Sequence, residues 1–486
     1  MIARFRLAAG AALLLGGCAV GPAFHAPAAP AQSGYDRDGT APMPAPAGVA
    51  GGTQQWVAGA PRDGWWHAFG SAPLDALIDA ALKTNSDLAA ARAALKVARE
   101  SWLATRGVLL PTVDAGAGSS RNKSSQYLSP VLNATQFDFG LQTAQVNVGY
   151  NLDLFGLNRR TVEQARAQFD AQSYQTEAAR ISLINTVAAA AFQEAGLRAQ
   201  LAAQDRMVAI ACETLDIVRR QQDRGQAAGA DVLAQEAVLA QAETALPPLR
   251  RAAAQSRDLI AYLTGRSAAD PLPDDGPVDL AAITLPRDLP LSLPSALVRQ
   301  RPDIRAAEAN LHAASAGIGI AIANRLPQLT LSANAGGASG GWSGLLSAAN
   351  SFWSIGAGVT QPIFAGGALL HRQRAARAAY DQADAQYRSA VLGAFQNVAD
   401  TLAALRSDAE ALRANLAARD AAAASLAVAQ HQFEQGQTPF GAVLTAETAL
   451  HQAEQGLVQA QVSRLTDTAA LFEALGGGWQ DTGAQG

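Results

Sequence analysis

The sequence predicts a mainly α fold with a β-barrel part, made of one unit used twice: helix, strand, strand, long helix, helix. Three observations carry this. The chain is internally duplicated, each half holds a long Pro-free stretch with a seven-residue apolar repeat, and each half holds two segments that alternate with period two.

The duplication is read from landmarks that keep their order. Asn85-Ser86-Asp87-Leu88 is echoed by Arg301-Pro302-Asp303-Ile304 (303 − 87 = 216), and Leu110-Pro111 by Leu326-Pro327 (327 − 111 = 216). Leu154-Phe155 is echoed by Ile363-Phe364 (363 − 154 = 209), and Arg224-Gly225-Gln226 by Gln435-Gly436-Gln437 (435 − 224 = 211). Val232, Leu233 and Glu236 match Val443, Leu444 and Glu447 at the same offset (443 − 232 = 211). Leu263-Thr264-Gly265 closes the first half and Leu475-Gly476-Gly477 the second.

Composition agrees. Of 486 residues, 49% are hydrophobic but only 6% aromatic, and Ala supplies much of the apolar share. Small apolar side chains suit closely packed helices better than a bulky core. A net charge of −4 gives no reason to expect nucleic acid as a partner.

The elements follow in chain order. Arg4 and Arg6 precede the short apolar run Leu7–Leu15, too short to span a bilayer, so residues 1–17 read as a signal peptide. The run ends in Leu15-Gly16-Gly17-Cys18, which resembles the bacterial lipoprotein processing box. That resemblance implies cleavage before Cys18 and acylation of its thiol and amine. Ala19 rather than Asp follows, which favours the outer membrane. Cys212 is the other cysteine, expected mid-helix as a small packing residue. Residues 18–60 are rich in Pro, Ala and Gly and read as an acylated tether. Structure is expected from Trp65-Trp66 and Phe69, followed by a helical pattern over 73–107.

Long helices are expected over Asn158–Arg224 and Ala368–Gln435, each roughly 100 Å at 1.5 Å per residue. Such helices need packing along their length. Leu201, Val208 and Leu215 form one heptad row; Leu197, Ala211 and Val218 form its companion, with Gln204 as the exception. In the second half Leu402, Ala409, Leu416 and Ala423 form one row. Leu405, Leu412, Leu426 and Phe433 form the other, interrupted by Arg419. The return helices agree: Val232, Leu239, Leu246 and Ile260 match Val443, Leu450, Leu457 and Leu471.

Between the helices lie the strand pairs. Val113, Ala115 and Ala117 alternate with polar or small residues, as do Val146, Val148 and Tyr150. Leu329, Leu331 and Ala333 do the same, and so do Ile355, Ala357 and Val359. This pattern suits a transmembrane barrel with one face to lipid and one to water. Tyr127, Phe137, Phe139, Trp342, Phe352 and Trp353 fall near the loops, where an aromatic girdle is expected. Four strands cannot close a barrel, and lipid does not tolerate open edges. The chain must borrow strands from copies of itself. Three copies give about 12 strands, enough for an aqueous pore.

At this point the sequence resembles the TolC and OprM family of outer-membrane efflux proteins, and its NodT-type lipoproteins in particular. The residues concerned are Cys18-Ala19-Val20-Gly21-Pro22, Leu152-Asp153-Leu154-Phe155-Gly156, Gln361-Pro362-Ile363-Phe364-Ala365-Gly366-Gly367, and the helix break Leu246-Pro247-Pro248-Leu249. The resemblance implies a homotrimer whose 12-stranded transmembrane barrel continues as a periplasmic α-helical coiled-coil barrel. It divides the chain into a first efflux repeat at 61–265, an equatorial segment at 266–292, a second repeat at 293–477 and a tail at 478–486. It further implies outer-membrane lipids, a periplasmic membrane-fusion adaptor and an inner-membrane pump, RND-type by expectation, as partners. In that reading the protein passively conducts drugs or other small molecules, with no cofactor beyond the lipid on Cys18.

The family also implies where the tube narrows. The turns at Gly225-Gln226 and Gly436-Gln437 would form the periplasmic tip and meet the adaptor. Aligning on the turn glycines puts Asp231 on the family's gating Asp, with Arg224 and Arg220 as candidates to pair with it. In the second hairpin the corresponding positions hold Ala442 and Thr445. Asp231 also suits an N-terminal helix cap.

Other classes fit less well. Gly337-Ala338-Ser339-Gly340-Gly341 matches a nucleophile elbow by letters but is expected in a loop between strands. His25, His67, His312, His371, His431 and His451 show no metal-ligand spacing, so neither enzyme chemistry nor a metal site is expected. A trimeric coiled-coil surface adhesin would share export, helices and a barrel. It would need neither an amino-terminal lipid nor a helical duplication.

Overall fold

The computed structural model describes residues 19–28, 34–35, 54–123, 138–270, 276 and 278–479. The signal, Cys18, Tyr127, Phe137 and the end of the tail lie outside the described residues. In chain order the first half comprises β1 (Gln55–Ala58), α1 (Ala72–Thr84), α2 (Ser86–Arg106), β2 (Thr112–Lys123), β3 (Asp138–Leu152), α3 (Leu157–Asp223), α4 (Gly229–Thr244) and α5 (Leu246–Leu263). The second comprises β4 (Asp288–Leu291), α6 (Pro294–Gln300), α7 (Pro302–Ala323), β5 (Gln328–Ser339), β6 (Ser351–Thr360), α8 (Ala368–Glu434) and α9 (Phe440–Ala474). The long helices begin and end one residue earlier than expected, or on the expected residue. Their 67-residue lengths are equal. The chain divides into two compact units.

The first unit contains Leu95–Gln172, Ala307–Tyr387 and the amino-terminal residues 19–27. Its centre is one antiparallel sheet in the order β2-β3-β5-β6. Residues 19–21 are held in a slot rather than left as tether. The Val20 amide donates to the Phe155 carbonyl at 3.0 Å, and Arg160 Nε donates to the Val20 carbonyl at 3.2 Å. Gly156, at φ 84°, makes room: a Cβ there would stand 2.7 Å from Ala19 Cα. Phe24 then stacks on the His312 ring at 4.3 Å, and His312 Nε2 lies 2.9 Å from Glu163. Residues 337–339 also differ from expectation. They are the end of β5, not loop, and a Cβ on Gly337 would collide with the Leu345 carbonyl.

The second unit contains the described parts of Ala28–Ala94, Ser173–Ala306 and Arg388–Gly486. Its aromatic core is where Trp65 and Phe69 predicted structure to begin. Trp65 stacks on Phe472 at 4.9 Å, and Phe69, fully buried, tilts against Phe192 at 5.0 Å. Burying such a side chain contributes about 1.5–3 kcal/mol. Structure in fact starts earlier, because β1 pairs in parallel with β4 in the equatorial segment, Gln55 opposite Asp288. Two four-residue strands carry too little periodicity to be read from sequence.

The helix expected over 73–107 is two helices. Asn85 breaks it: its Oδ1 accepts from the Leu88 amide at 2.9 Å as an N-cap, and its Nδ2 donates to the Leu263 carbonyl at 3.0 Å. The break at Pro247-Pro248 falls as expected, with α5 starting at Leu246. Cys212 is exposed on α3 and not packed in the core, since it lies off both heptad rows.

Candidate functional site

The sheet has two chemically distinct faces. Direct pairing places Val113 opposite Val148, Val148 opposite Ala333, and Ala333 opposite Ile355, so the four predicted apolar rows share one face. Ala115, Val146, Ala335 and Trp353 form the next rung. Trp353, Ile355 and Val359 are 75%, 78% and 69% exposed, an uncovered apolar patch on this chain. Trp342 is also largely exposed.

The opposite face is a polar ladder. Asp114, Asn147, Asn334 and Ser354 pair across it. Asn147 Nδ2 donates to Asp114 Oδ1 at 3.0 Å, Ser354 Oγ to Asn334 Oδ1 at 3.2 Å, and Thr330 Oγ1 to Asn151 Oδ1 at 3.1 Å. Strands β2 and β6 are the edges, each with one side unpaired among the described residues. No helix among the described residues is long and apolar enough to cross a membrane.

At the far ends of the long helices the two turns are built alike. Gly225 and Gly436 adopt φ 74° and 69°, where glycine avoids a steric penalty. The Gln226 amide donates to the Gln221 carbonyl, and that of Gln437 to Gln432, each at 2.9 Å. Past the turns the halves differ. Asp231 Oδ2 accepts from the Ala228 amide at 2.9 Å, so the acid caps α4. Ala442 stands at the equivalent position of α9 (442 − 231 = 211), and Thr445 Oγ1 donates to its own helix at the Gly441 carbonyl. Neither Arg220 nor Arg224 forms an ion pair with Asp231 among the described residues; Arg220 Nε donates to the Asp216 carbonyl at 3.1 Å. A charged link crosses this hairpin near the turn, Arg219 to Glu236 at 2.7 Å, a pair the sequence reading missed.

Two buried polar clusters brace the helices. Gln204, the heptad exception, is 2% exposed. Its Nε2 donates to the Ala242 carbonyl of α4 at 2.8 Å, and its Oε1 lies 2.8 Å from His451 Nε2 on α9. The Ala242 carbonyl fixes the Gln204 amide orientation, and Gln455 Nε2 lies 2.7 Å from His451 Nε2 and 3.4 Å from Gln204 Oε1. Burial holds the His451 imidazole below its ordinary pKa; Glu454 opposes this and Arg206 adds to it. The second cluster surrounds Arg464, which is fully buried. Its Nη2 donates to Gln54 Oε1 at 2.8 Å, and Gln54 Nε2 donates to the Pro286 carbonyl at 3.1 Å. Beside it Asp408 hydrogen-bonds Asp467. Burial first and that bond second push the Asp408 carboxyl up to about 7.

These features define a class before any comparison. The first unit carries a sheet with one polar and one apolar face, and the second carries paired helical hairpins. No cluster of His, Cys, Asp or Glu among the described residues could hold a metal ion.

The comparisons identify the family. A model of the outer membrane efflux protein family matches residues 77–266 and 293–477, the two halves of the duplication. The solvent efflux pump outer membrane protein SrpC of Pseudomonas putida is 31% identical over 472 residues, which cover 96% of this chain and 97% of SrpC. The solved structure of the outer-membrane channel OprN superposes with a TM-score of 0.85 at 29% identity, covering 95% of this chain and 100% of that one. The open state of the Neisseria gonorrhoeae MtrE outer membrane channel gives a TM-score of 0.81 at 28% identity, with coverage of 95% and 99%. The chain belongs to the outer membrane efflux protein family, whose members are channels and not enzymes.

Proposed function

We propose that three copies of this chain close a 12-stranded barrel in the outer membrane and form the exit channel of a tripartite efflux pump. The observation that carries this is the two-faced sheet with unpaired edges at β2 and β6. Exposed strand edges cannot face hydrocarbon, so each edge needs a partner strand. The polar face, with Asp114, Asn147, Asn334 and Ser354, then lines water, and Val113, Ile355 and Trp353 face lipid. Acylation of Cys18 supplies a second anchor, which suits the docking of residues 19–21 against the sheet-to-helix junction.

The helices carry the conduit into the periplasm. Their turns, Gly225-Gln226 and Gly436-Gln437, are the surface offered to a periplasmic adaptor, and through it to an inner-membrane pump of the RND type. SrpC is named for solvent efflux, and small apolar or amphipathic compounds are the cargo class this relationship favours here. A coiled-coil adhesin has no support from family membership. The test is native mass measurement and planar-bilayer recording on the full-length protein in detergent. A trimer that forms conducting pores is expected. A monomer with all its strand amides protected, or a trimer that never conducts, overturns the reading.

A further inference from the structure

The apolar face of the sheet is not bare along its whole length. At the strand ends away from the helices, residues 340–350, between β5 and β6, fold back over it. Gly337 permits this, because a Cβ there would point to the apolar face and collide with the Leu345 carbonyl. Leu345 is 6% exposed in consequence, whereas its neighbour Leu346 is 95% exposed. The overhang is braced from within. Asn350 Nδ2 donates to the Gly344 carbonyl at 2.8 Å. The Leu345 amide donates to the Trp342 carbonyl at 3.4 Å, and the Ser347 amide to the Gly344 carbonyl at 3.2 Å.

Beneath the overhang the side chains are small. Pairing puts Ala117, Ala144, Gly337 and Ser351 on one rung of the apolar face, next to the rung of Ala115, Val146, Ala335 and Trp353. Between overhang and sheet lies an open-sided cavity of about 570 Å³. Ala117, Ala144, Ala335 and Gly337 line it from the sheet, and Leu345 and Leu346 from the loop. Native packing leaves few voids of this size, and the volume falls within the about 300–1,000 Å³ of small-molecule sites. A lining made mostly of hydrocarbon offers water few partners.

Farther from the helices the same face turns polar and then cationic. The next rung holds Ser119, Gln142 and Ser339; Arg121 follows, and then Lys123 opposite Asp138. Arg121 donates from Nε and Nη2 to the two Asp138 oxygens at 3.0 and 3.2 Å. Two cations against one acid leave a net positive charge at this rim. At about 3.4 Å per residue, Arg121 and Lys123 stand about 14 and 20 Å beyond Ala117.

The occupant that matches has an apolar chain for the cavity and an anionic head group farther out. In the channel reading the face is turned to hydrocarbon and these strand ends point outward, so the occupant comes from the outer leaflet. The lipid of that leaflet is a phosphorylated glycolipid, lipid A. We propose that each copy holds one such glycolipid, with an acyl chain under the 340–350 overhang and a phosphate against Arg121 and Lys123. This rests on the channel reading and adds a lipid site to it.

The test is native mass measurement of the full-length trimer in detergent, titrated with purified lipid A or with phosphatidylethanolamine. The parent should retain up to one lipid A per copy and prefer it to phosphatidylethanolamine at least fivefold. Ala144→Leu with Ala335→Leu fills the cavity and should cut lipid A retention at least tenfold. Leu346→Asp places a charge at the cavity on an exposed residue whose change leaves the sheet intact, and should cut retention at least fivefold. If the double variant does not assemble, Leu346→Asp alone decides. Arg121→Gln with Lys123→Gln should abolish the preference over phosphatidylethanolamine while chain binding persists. A conducting parent trimer that retains no lipid A, or cavity variants that retain as much as the parent, overturns the site. Equal retention of phosphatidylethanolamine by the parent overturns the head-group assignment. A parent that neither forms a trimer nor conducts fails the channel reading instead, whatever lipid it carries.

Discussion

Arg301 donates from Nη1 to the carbonyl of Ala474 at 2.9 Å, and in the first half Asn85 donates from Nδ2 to the carbonyl of Leu263 at 3.0 Å. In both halves the residue at the break between the short helices closes the carboxyl end of the return helix. The glycines that follow complete the joint. Gly265 and Gly476, 211 apart (476 − 265 = 211), have φ 68° and 94°, and a Cβ on either would strike the carbonyl of Thr84 or Gln300.

Gly476→Ala is therefore expected to suffer twice. Left-handed backbone costs an L-residue about 1–2 kcal/mol, and the collision adds to it. Gly225→Ala, at φ 74° with open space around its Cβ, carries the first cost alone. Thermal unfolding of the two variants in detergent should show the larger loss for Gly476→Ala; equal losses would mean the joint relaxes freely.

The Asp408–Asp467 pair sets a pH dependence. A carboxyl whose folded pKa is about 7 holds its proton where the unfolded chain has released it. Its contribution to stability is full below the ordinary carboxylate range and is lost as pH rises to about 7. Asp408→Asn keeps a donor for Asp467 and removes this titration. The difference in unfolding midpoint between parent and variant should grow in the variant's favour from pH 4.5 to 7.5. A constant difference would assign the proton elsewhere.

Cys18→Ser should abolish labelling by radiolabelled palmitate while the barrel still inserts, since its strands supply an independent anchor. One acyl chain alone binds a membrane only marginally, so stable attachment takes several. Persistent labelling of the mutant would defeat the assignment.

Asp231 caps α4, and its charge is separable from the cap. Asn still accepts the Ala228 amide but carries no charge. If three Asp231 carboxylates narrow the tip, Asp231→Asn should raise conductance or lower cation preference in planar bilayers. Loss of a cap alone, about 0.5–2 kcal/mol in Asp231→Ala with conductance unchanged, would leave the acid a structural role.

Most of the helical framework was legible because its signals are long. Heptad rows within 67-residue helices, and an offset that holds at 211 through the helical hairpins, survive individual exceptions, and the turns fell on the glycines expected to make them. The strand rows were legible for the same reason: their alternation put Val113, Val148, Ala333 and Ile355 on one face, as the register bears out. What was illegible depended on contacts distant in sequence. Gln54 and Arg464 meet across 410 residues, and nothing local marks either as buried. Strands β1 and β4 stabilise each other only as a pair. Gln204 was visible as a break in the apolar row, but its reason lies on α9, 247 residues away at His451.

The antiparallel register of α3 with both neighbours limits how such a chain can change length. One residue added to α3 would shift every side chain beyond it by about 100°, off α4–α5 on one side and off α9 on the other. No single compensating change repairs both. Length variants that survive must come as matched insertions in all the helices at once, in steps that restore the heptad phase. The sheet is free of this coupling: β3 has 15 residues where β6 has 10. Sequence divergence after the duplication could therefore accumulate as insertions and deletions at the strand ends, while the helices diverged by substitution alone.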